Sequence, residues 1–176
     1  MVAADPWAMD ILRIARRLAL PDWAIGAGFL RGMVWDRLCG FASRTALNDI
    51  DVVYFDTTDT GRDRENAAEA QLHAWRPDQV WSVRNMARMH LRNGDASYRD
   101  TEDAISHWLE TPTAVAVSLD ADDSLRLLAP HGADDLLAAH VRPTPQGRRK
   151  IDQYQLRVTT KNWPARWPCV KVEAPT

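Results

Sequence analysis

Cysteine is scarce in these 176 residues: Cys39 and Cys169 stand far apart, with no third thiol. Two isolated thiols exclude a thiolate zinc cluster or a disulfide framework, leave a single bridge open, and suit a reducing cytoplasm. No apolar run approaches the length that spans a bilayer. The opening residues, Met1 to Asp5, lack the charged and then apolar pattern of a secretory leader. The expectation is a cytoplasmic protein with no membrane partner. Charge of one sign is also lacking: the net value is −2 and the pI about 6.2. That argues against non-specific nucleic-acid or membrane binding, while leaving room for a local basic patch. His73, His90, His107, His131 and His140 show no H-E-x-x-H spacing, which speaks against zinc. The acidic turn Asp120 to Ser124 lacks the Gly and terminal Glu of a calcium loop.

What is present describes a soluble globular domain. Hydrophobic residues make up 45% and charged residues 26%, enough to bury a core at this length. Eight tryptophans are many, and they read as core or interface anchors, with Trp163 and Trp167 pinning the C-terminal segment to the core.

Residues 7–20 carry apolar side chains at helical spacing, started by Asp5-Pro6 and stopped by Pro21. A short strand, 23–28, then passes through Ala27-Gly28 into a second helix with Leu30, Met33, Val34, Leu38 and Phe41 on its stripe. A strand over 49–55, a helix around Ala68, Leu72 and Trp75, a third strand at 80–83 and a helical segment 84–90 follow. One more helix begins at Thr101. A hairpin pairs 113–119 with 125–128, and a short helix spans 134–140. Residues 142–150, rich in Pro, Gly and Arg, read as a linker, and the basic residues Arg148, Arg149, Lys150, Arg157 and Lys161 as a solvated tail, the alternative being the lining of a nucleic-acid groove. The expected fold is α/β (α+β), a mixed β-sheet flanked by helices. Residues 1–141 form the domain, and 142–176 a linker and tail packing on it.

The chemistry centres on Leu47 to Asp56, "LNDIDVVYFD". Asp49 and Asp51 are two apart in an extended segment, so both carboxylates share one side. Two such groups repel unless a cation lies between them, which makes them metal-ligand candidates. The Ala27-Gly28 turn opens a helix whose free N–H groups suit a phosphate. Arg31, Arg84 and Arg88 are candidate phosphate contacts. Carboxylates that hold Mg²⁺ (or Mn²⁺) beside a phosphate-binding helix start are the parts of a phosphoryl- or nucleotidyl-transfer site.

"AGFLRGMVWDRL" followed by "DIDVVYFD" resembles the polymerase-beta-type nucleotidyltransferase superfamily, in which a G-[GS] turn opens a helix and the next strand carries D-x-D. Ala27 to Arg31 is similar to the G-G-x-V-R start of the poly(A) polymerase and tRNA CCA-adding group. "WSVRNMARMH", "TAVAVSL" and "KNWPARWP" are similar to a bacterial nucleotidyltransferase-like family of that superfamily. The resemblance implies an NTP substrate, metal ions on Asp49 and Asp51, which would be the catalytic residues, and the triphosphate near Ala27, Gly28 and the helix they open. Ala27 stands where the superfamily has Gly. The strand at 80–84 carries no acid to complete the metal site; Glu110 and the Asp122/Asp123 turn are the remaining candidates, and Asp36 lies about 12 Å down the helix from Gly28. The leading expectation is transfer of a nucleoside monophosphate from an NTP to a hydroxyl of an unspecified acceptor: a small molecule, a protein or an RNA end. The alternative is a nucleotide-binding or partner-binding module without the third metal carboxylate.

Overall fold

In the computed structural model, residues 1–173 are described; residues 174–176 of the expected tail lie outside the described residues. A 3-10 turn, Val2–Ala4, leads to α1, Pro6–Arg16, capped by Asp5, whose side chain accepts from Ala8 N–H at 3.0 Å. The chain continues through β1 (Ala24–Gly26), α2 (Gly28–Leu38), β2 (Ile50–Tyr54) and α3 (Arg62–Trp75). Then come β3 (Trp81–Asn85), α4 (Met86–Asn93), α5 (Thr101–Ser106) and the hairpin of β4 (Ala116–Leu119) and β5 (Leu125–Leu128). The last part holds α6 (Asp134–Leu137), β6 (His140–Val141), α7 (Pro145–Arg149), α8 (Ile151–Lys161), α9 (Trp163–Arg166) and β7 (Lys171–Val172).

Five strands form a mixed sheet in the order β3-β2-β1-β4-β5. Only β2 and β3 run parallel, joined by the α3 crossover, with Asp51 beside Ser82 and Val53 beside Arg84. The sheet separates two apolar layers. Ile25, Ile50, Val52, Tyr54, Val83 and Val117 face the larger core with α1, α2 and the tryptophans. Ala24, Val53, Met86, Ala116 and Leu128 form a smaller cluster on the other face. Because β2 alternates, Asp51 shares the face of Val53, the thinly covered one.

Four local expectations are corrected. Arg84 and Asn85 end strand β3 instead of starting a helix: Arg84 pairs with Val53 in the sheet, and the Asn85 side chain caps α4 by accepting from Ala87 N–H at 3.0 Å. Residues 142–150 are not a linker. Thr144 caps α7 through Gly147 N–H at 3.0 Å, with Pro145 at the first helical position. The basic tail is solvated only in part: Arg148, Arg149 and Lys161 are exposed, but Lys150 and Arg157 are half-buried, α8 buries Tyr154, and β6 pairs in parallel with β7. The two cysteines are not isolated: Cys39 and Cys169 form a disulfide between the end of α2 and the segment after α9. Trp163 and Trp167 pin that segment as expected, both meeting Trp35 edge-on with ring centroids 6.1 and 5.4 Å away. No helix among the described residues is long and apolar enough to cross a membrane.

Candidate active site

A cavity of about 280 Å³ lies over the thinly covered face of the sheet. Asp51 and Val53 from β2, Ala27 from the β1–α2 turn and Arg84 from β3 line one side. His107, Trp108, Leu109, Glu110 and Thr113, together with Lys150, Gln153 and Arg157, line the other.

Asp51 is half-buried at the mouth of β2, and Asp49 is exposed just before the strand begins. Burial pushes the Asp51 carboxyl above the usual range and the neighbouring Asp49 charge adds to the shift; a hydrogen bond from Ser82 and the charges of Arg157 and Arg84 oppose it. Two carboxylates offer an all-oxygen donor pair, which fits a hard cation such as Mg²⁺ or Mn²⁺. No group of three metal-ligating side chains occurs among the described residues.

Ala27 sits at φ 51°, ψ −116°, a conformation that favours glycine, and its carbonyl accepts from Arg31 N–H at 3.2 Å to open α2. The turn must be this sharp because Ala27 N–H still bonds Val115 O at 3.1 Å while the next residue is already helical. A Cβ on Gly28 would meet nothing nearer than Arg31 Nη2, at 3.8 Å, so the helix start is open to a close neighbour.

The arginines divide. Arg84 lines the cavity while its Nη1 reaches Glu69 Oε1 at 2.5 Å. Arg31 is buried beneath the cavity, donates to Thr113 Oγ1 at 2.8 Å, and lies over the rings of Trp35 and Trp163. Burial lowers its pKa to about 10, against the opposing pull of Glu110. Arg88 does not line the cavity; it grips the fully buried Glu65 through Nε and Nη2, and Glu65 also accepts from Asn85 N–H at 2.7 Å.

Of the remaining acids, Asp36 is taken: Oδ1 accepts from Trp167 Nε1 and Oδ2 from Thr45 N–H, at 2.7 and 2.8 Å. Asp123 pairs with Arg13 and Arg16 at the β4–β5 turn. Glu110 does line the cavity, fully buried, and burial raises its carboxyl against the charges of Arg157 and Arg31. Lys150 and Arg157, read first as a solvated tail, line the cavity with Gln153, which was not anticipated. Their three- and four-residue spacing, one face of a helix, was the available signal.

The fold has relatives. The chain is similar to an NMR structure that reveals a CCA-adding enzyme head domain, at 32% identity and TM-score 0.86, over 97% of this chain and 91% of that one. It shares the fold of the Thermotoga maritima CCA-adding enzyme complexed with tRNA at 15% identity and TM-score 0.58, and of a CCA-adding enzyme with CTP at 12% and 0.60. Both likenesses cover 97% of this chain, which spans only 40% and 41% of those two larger proteins. No curated protein sequence matches it. Residues 13–172 match the family model described as nucleotidyltransferase. The chain, with its strand-turn-helix at Ala27 and its aspartates at the mouth of β2, belongs to this nucleotidyltransferase family.

Proposed function

We propose that this protein transfers a nucleoside monophosphate from an NTP to a hydroxyl group of an acceptor. An acceptor oxygen attacks the α-phosphorus, the bond to the bridging oxygen of the pyrophosphate breaks, pyrophosphate leaves, and the hydroxyl proton passes to water. Asp49 and Asp51 would hold Mg²⁺ (or Mn²⁺), which when bound supplies charge neutralisation on the phosphate oxygens and a more acidic acceptor hydroxyl. The observation that carries the reading is Asp51: a half-buried carboxylate beside a second one, at the edge of a cavity, in a chain of a nucleotidyltransferase family.

The other roles follow from position. The Gly28 N–H at the start of α2 faces an open approach and suits a phosphate oxygen, with Ala27 shaping the turn. Arg84 offers its guanidinium on the same side and offsets charge developing on the transferred phosphoryl group. Arg31 contributes positive charge from below, and Arg88 supports nucleotide binding by fixing Glu65 and with it the end of β3. A likeness to proteins bound to CTP and to tRNA supports nucleotides, and an RNA end among the candidate acceptors.

The test is a calorimetric titration of Mn²⁺ with a non-hydrolysable NTP into the wild type and Asp49→Asn, followed by a pyrophosphate-release assay over candidate acceptors. Metal-dependent binding that disappears in the variant supports the site; equal binding in both proteins overturns it. A second reading, a nucleotide-binding module without transfer, is favoured by the absence of a three-ligand metal cluster among the described residues. It predicts the same binding with no pyrophosphate released.

A further inference from the structure

The wall of the cavity facing Asp51 is built by the C-terminal segment, and its charge is unlike that of the rest of the chain. Of the 22 Lys and Arg residues, eight fall between 142 and 173, where Asp152 and Glu173 are the only acids. Lys150, Gln153 and Arg157 all line the cavity, at spacings that place them on one face of α8.

Two of these cations are aimed from behind by buried carboxylates. Arg157 Nε lies 2.7 Å from Oε1 of Glu110, whose side chain has no exposure. Neither Glu110 oxygen has an aligned hydrogen-bond donor among the described residues, so the carboxylate depends on the charges of Arg157 and Arg31. Lys150 Nζ lies 2.7 Å from Oδ1 of Asp95, itself only 5% exposed, and also donates to Asn93 O at 2.6 Å. In each pair the carboxylate sits deeper and the cation nearer the opening: the Arg157 side chain is 37% exposed and that of Lys150 19%. Glu110 meets Arg157 at Nε, and the Arg157 side chain lines the cavity.

The segment is held in place by backbone contacts. Thr144 N–H donates to Leu109 O at 3.0 Å and its hydroxyl to Trp108 O at 2.6 Å, one and two residues before Glu110. Thr111 N–H in turn donates to Arg142 O at 2.9 Å. Gly147 lies so close to Leu109 O that a Cβ there would be 2.2 Å away. Glu110 and the helix that carries Arg157 are thus fixed to each other.

We infer that Arg157 and Lys150 form a second phosphate subsite, on the α8 wall and separate from the helix start at Ala27-Gly28, that takes a phosphate ester group. The backbone positions of the two residues lie about 10 Å apart along the helix axis, a span that their long side chains can close, and the guanidinium and the ammonium, each paired with a buried carboxylate, suit phosphate oxygens by charge-assisted hydrogen bonds. The subsite deepens the proposed function and rests on it for the cavity's role. Its phosphate is either part of the donor's polyphosphate or a phosphate on the acceptor.

The experiment is a calorimetric titration of inorganic phosphate at low salt, without metal, into the wild type, Lys150→Gln and the double variant Glu110→Gln/Arg157→Gln. The double variant removes the cation together with the carboxylate it pairs with, Arg31 keeping Thr113 as its acceptor, and Lys150→Gln leaves Asp95 with Tyr98 and Gln146 as donors. Each variant is expected to bind phosphate about tenfold more weakly than the wild type. Repeating the titration with a saturating non-hydrolysable NTP distinguishes the sources. Phosphate that still binds marks an acceptor subsite, and phosphate that is displaced marks a donor subsite. A wild type that binds no phosphate, or variants that bind it equally well, overturns the inference. Because no metal is used, a failure here is distinct from a failure of the aspartate site, which the Mn²⁺ titration reports.

Discussion

Trp167 donates its indole N–H to Asp36 at 2.7 Å, joining residues 131 positions apart in the chain. The other oxygen of Asp36 accepts from both the backbone and the hydroxyl of Thr45, and Arg166 reaches the carbonyl of Ala46. Together these bonds fasten the 43–48 connection, which runs directly into Asp49, to both α2 and the C-terminal segment. Asp36→Ala takes the acceptor from three donors, the Trp167 indole and the N–H and hydroxyl of Thr45, and a loss of about 3 kcal/mol is expected in urea denaturation. Affinity for Mn²⁺ with an NTP analogue is expected to fall as well, because Asp49 loses its anchored approach.

Asp51 is expected to trade stability for binding. Its carboxyl holds a proton to higher pH in the folded chain than in the unfolded one. The folded state therefore binds more protons than the unfolded state in that window, and stability falls as pH rises through the folded-state pKa. Asp51→Asn is expected to melt higher than the metal-free wild type at neutral pH, with the difference shrinking at acid pH, while nucleotide-metal binding is lost. Thermal melts from pH 4 to 8, run alongside the calorimetry, check both parts. Metal affinity in the wild type should also weaken as pH drops through the same pKa, since proton and cation compete for one carboxylate.

Ala27→Gly is expected to stabilise the protein by about 1 kcal/mol, because a φ of 51° with ψ at −116° costs an L-residue backbone strain that glycine escapes. Chemical denaturation measures the gain, and nucleotide binding should persist. A loss of stability would show that the Ala27 methyl contributes more by packing than the backbone loses in strain.

Arg88→Ala should behave as a scaffold lesion. Removing the guanidinium leaves Glu65 charged and buried, and a loss of about 3 kcal/mol or more is expected. Pairing it with Glu65→Gln should recover part of the loss, since Asn85 N–H keeps an acceptor. Equilibrium unfolding of the single and double variants gives the coupling.

The legible part of the molecule was the part whose signal is local. β2 declared itself by five β-branched or aromatic residues between 50 and 55, and α1 by a capping Asp and a Pro at its first position. The aspartates stood out because charge is rare beside so apolar a strand. By contrast, α8 has only Ile151, Tyr154 and Val158 on its inner face, and Leu156 points outward, so periodicity was weak and the basic residues dominated the reading. Arg84 was misplaced because β3 turns directly into α4 with no intervening loop; the capping role of Asn85 becomes visible only once its carbonyl oxygen meets Ala87. The Cys39–Cys169 bond and the Glu110–Arg157 pair join residues 130 and 47 positions apart, distances at which spacing carries no information.

Cys39→Ser with Cys169→Ser is expected to cost about 2–4 kcal/mol, since the bridge closes a long loop between residues 130 positions apart. Denaturation with and without reductant measures this, and hydrogen exchange should quicken over 43–49 and 163–170.

The docking of residues 142–173 onto the cavity also sets an order on synthesis. A chain emerging from the ribosome can form the sheet from β1 to β5 before its last fifth is translated, because every strand of that sheet precedes residue 129. The nascent domain then carries its aspartates and helix start on an uncovered face. Lys150 and Arg157 reach them only when α8 folds back, so the binding cavity closes late and vectorially.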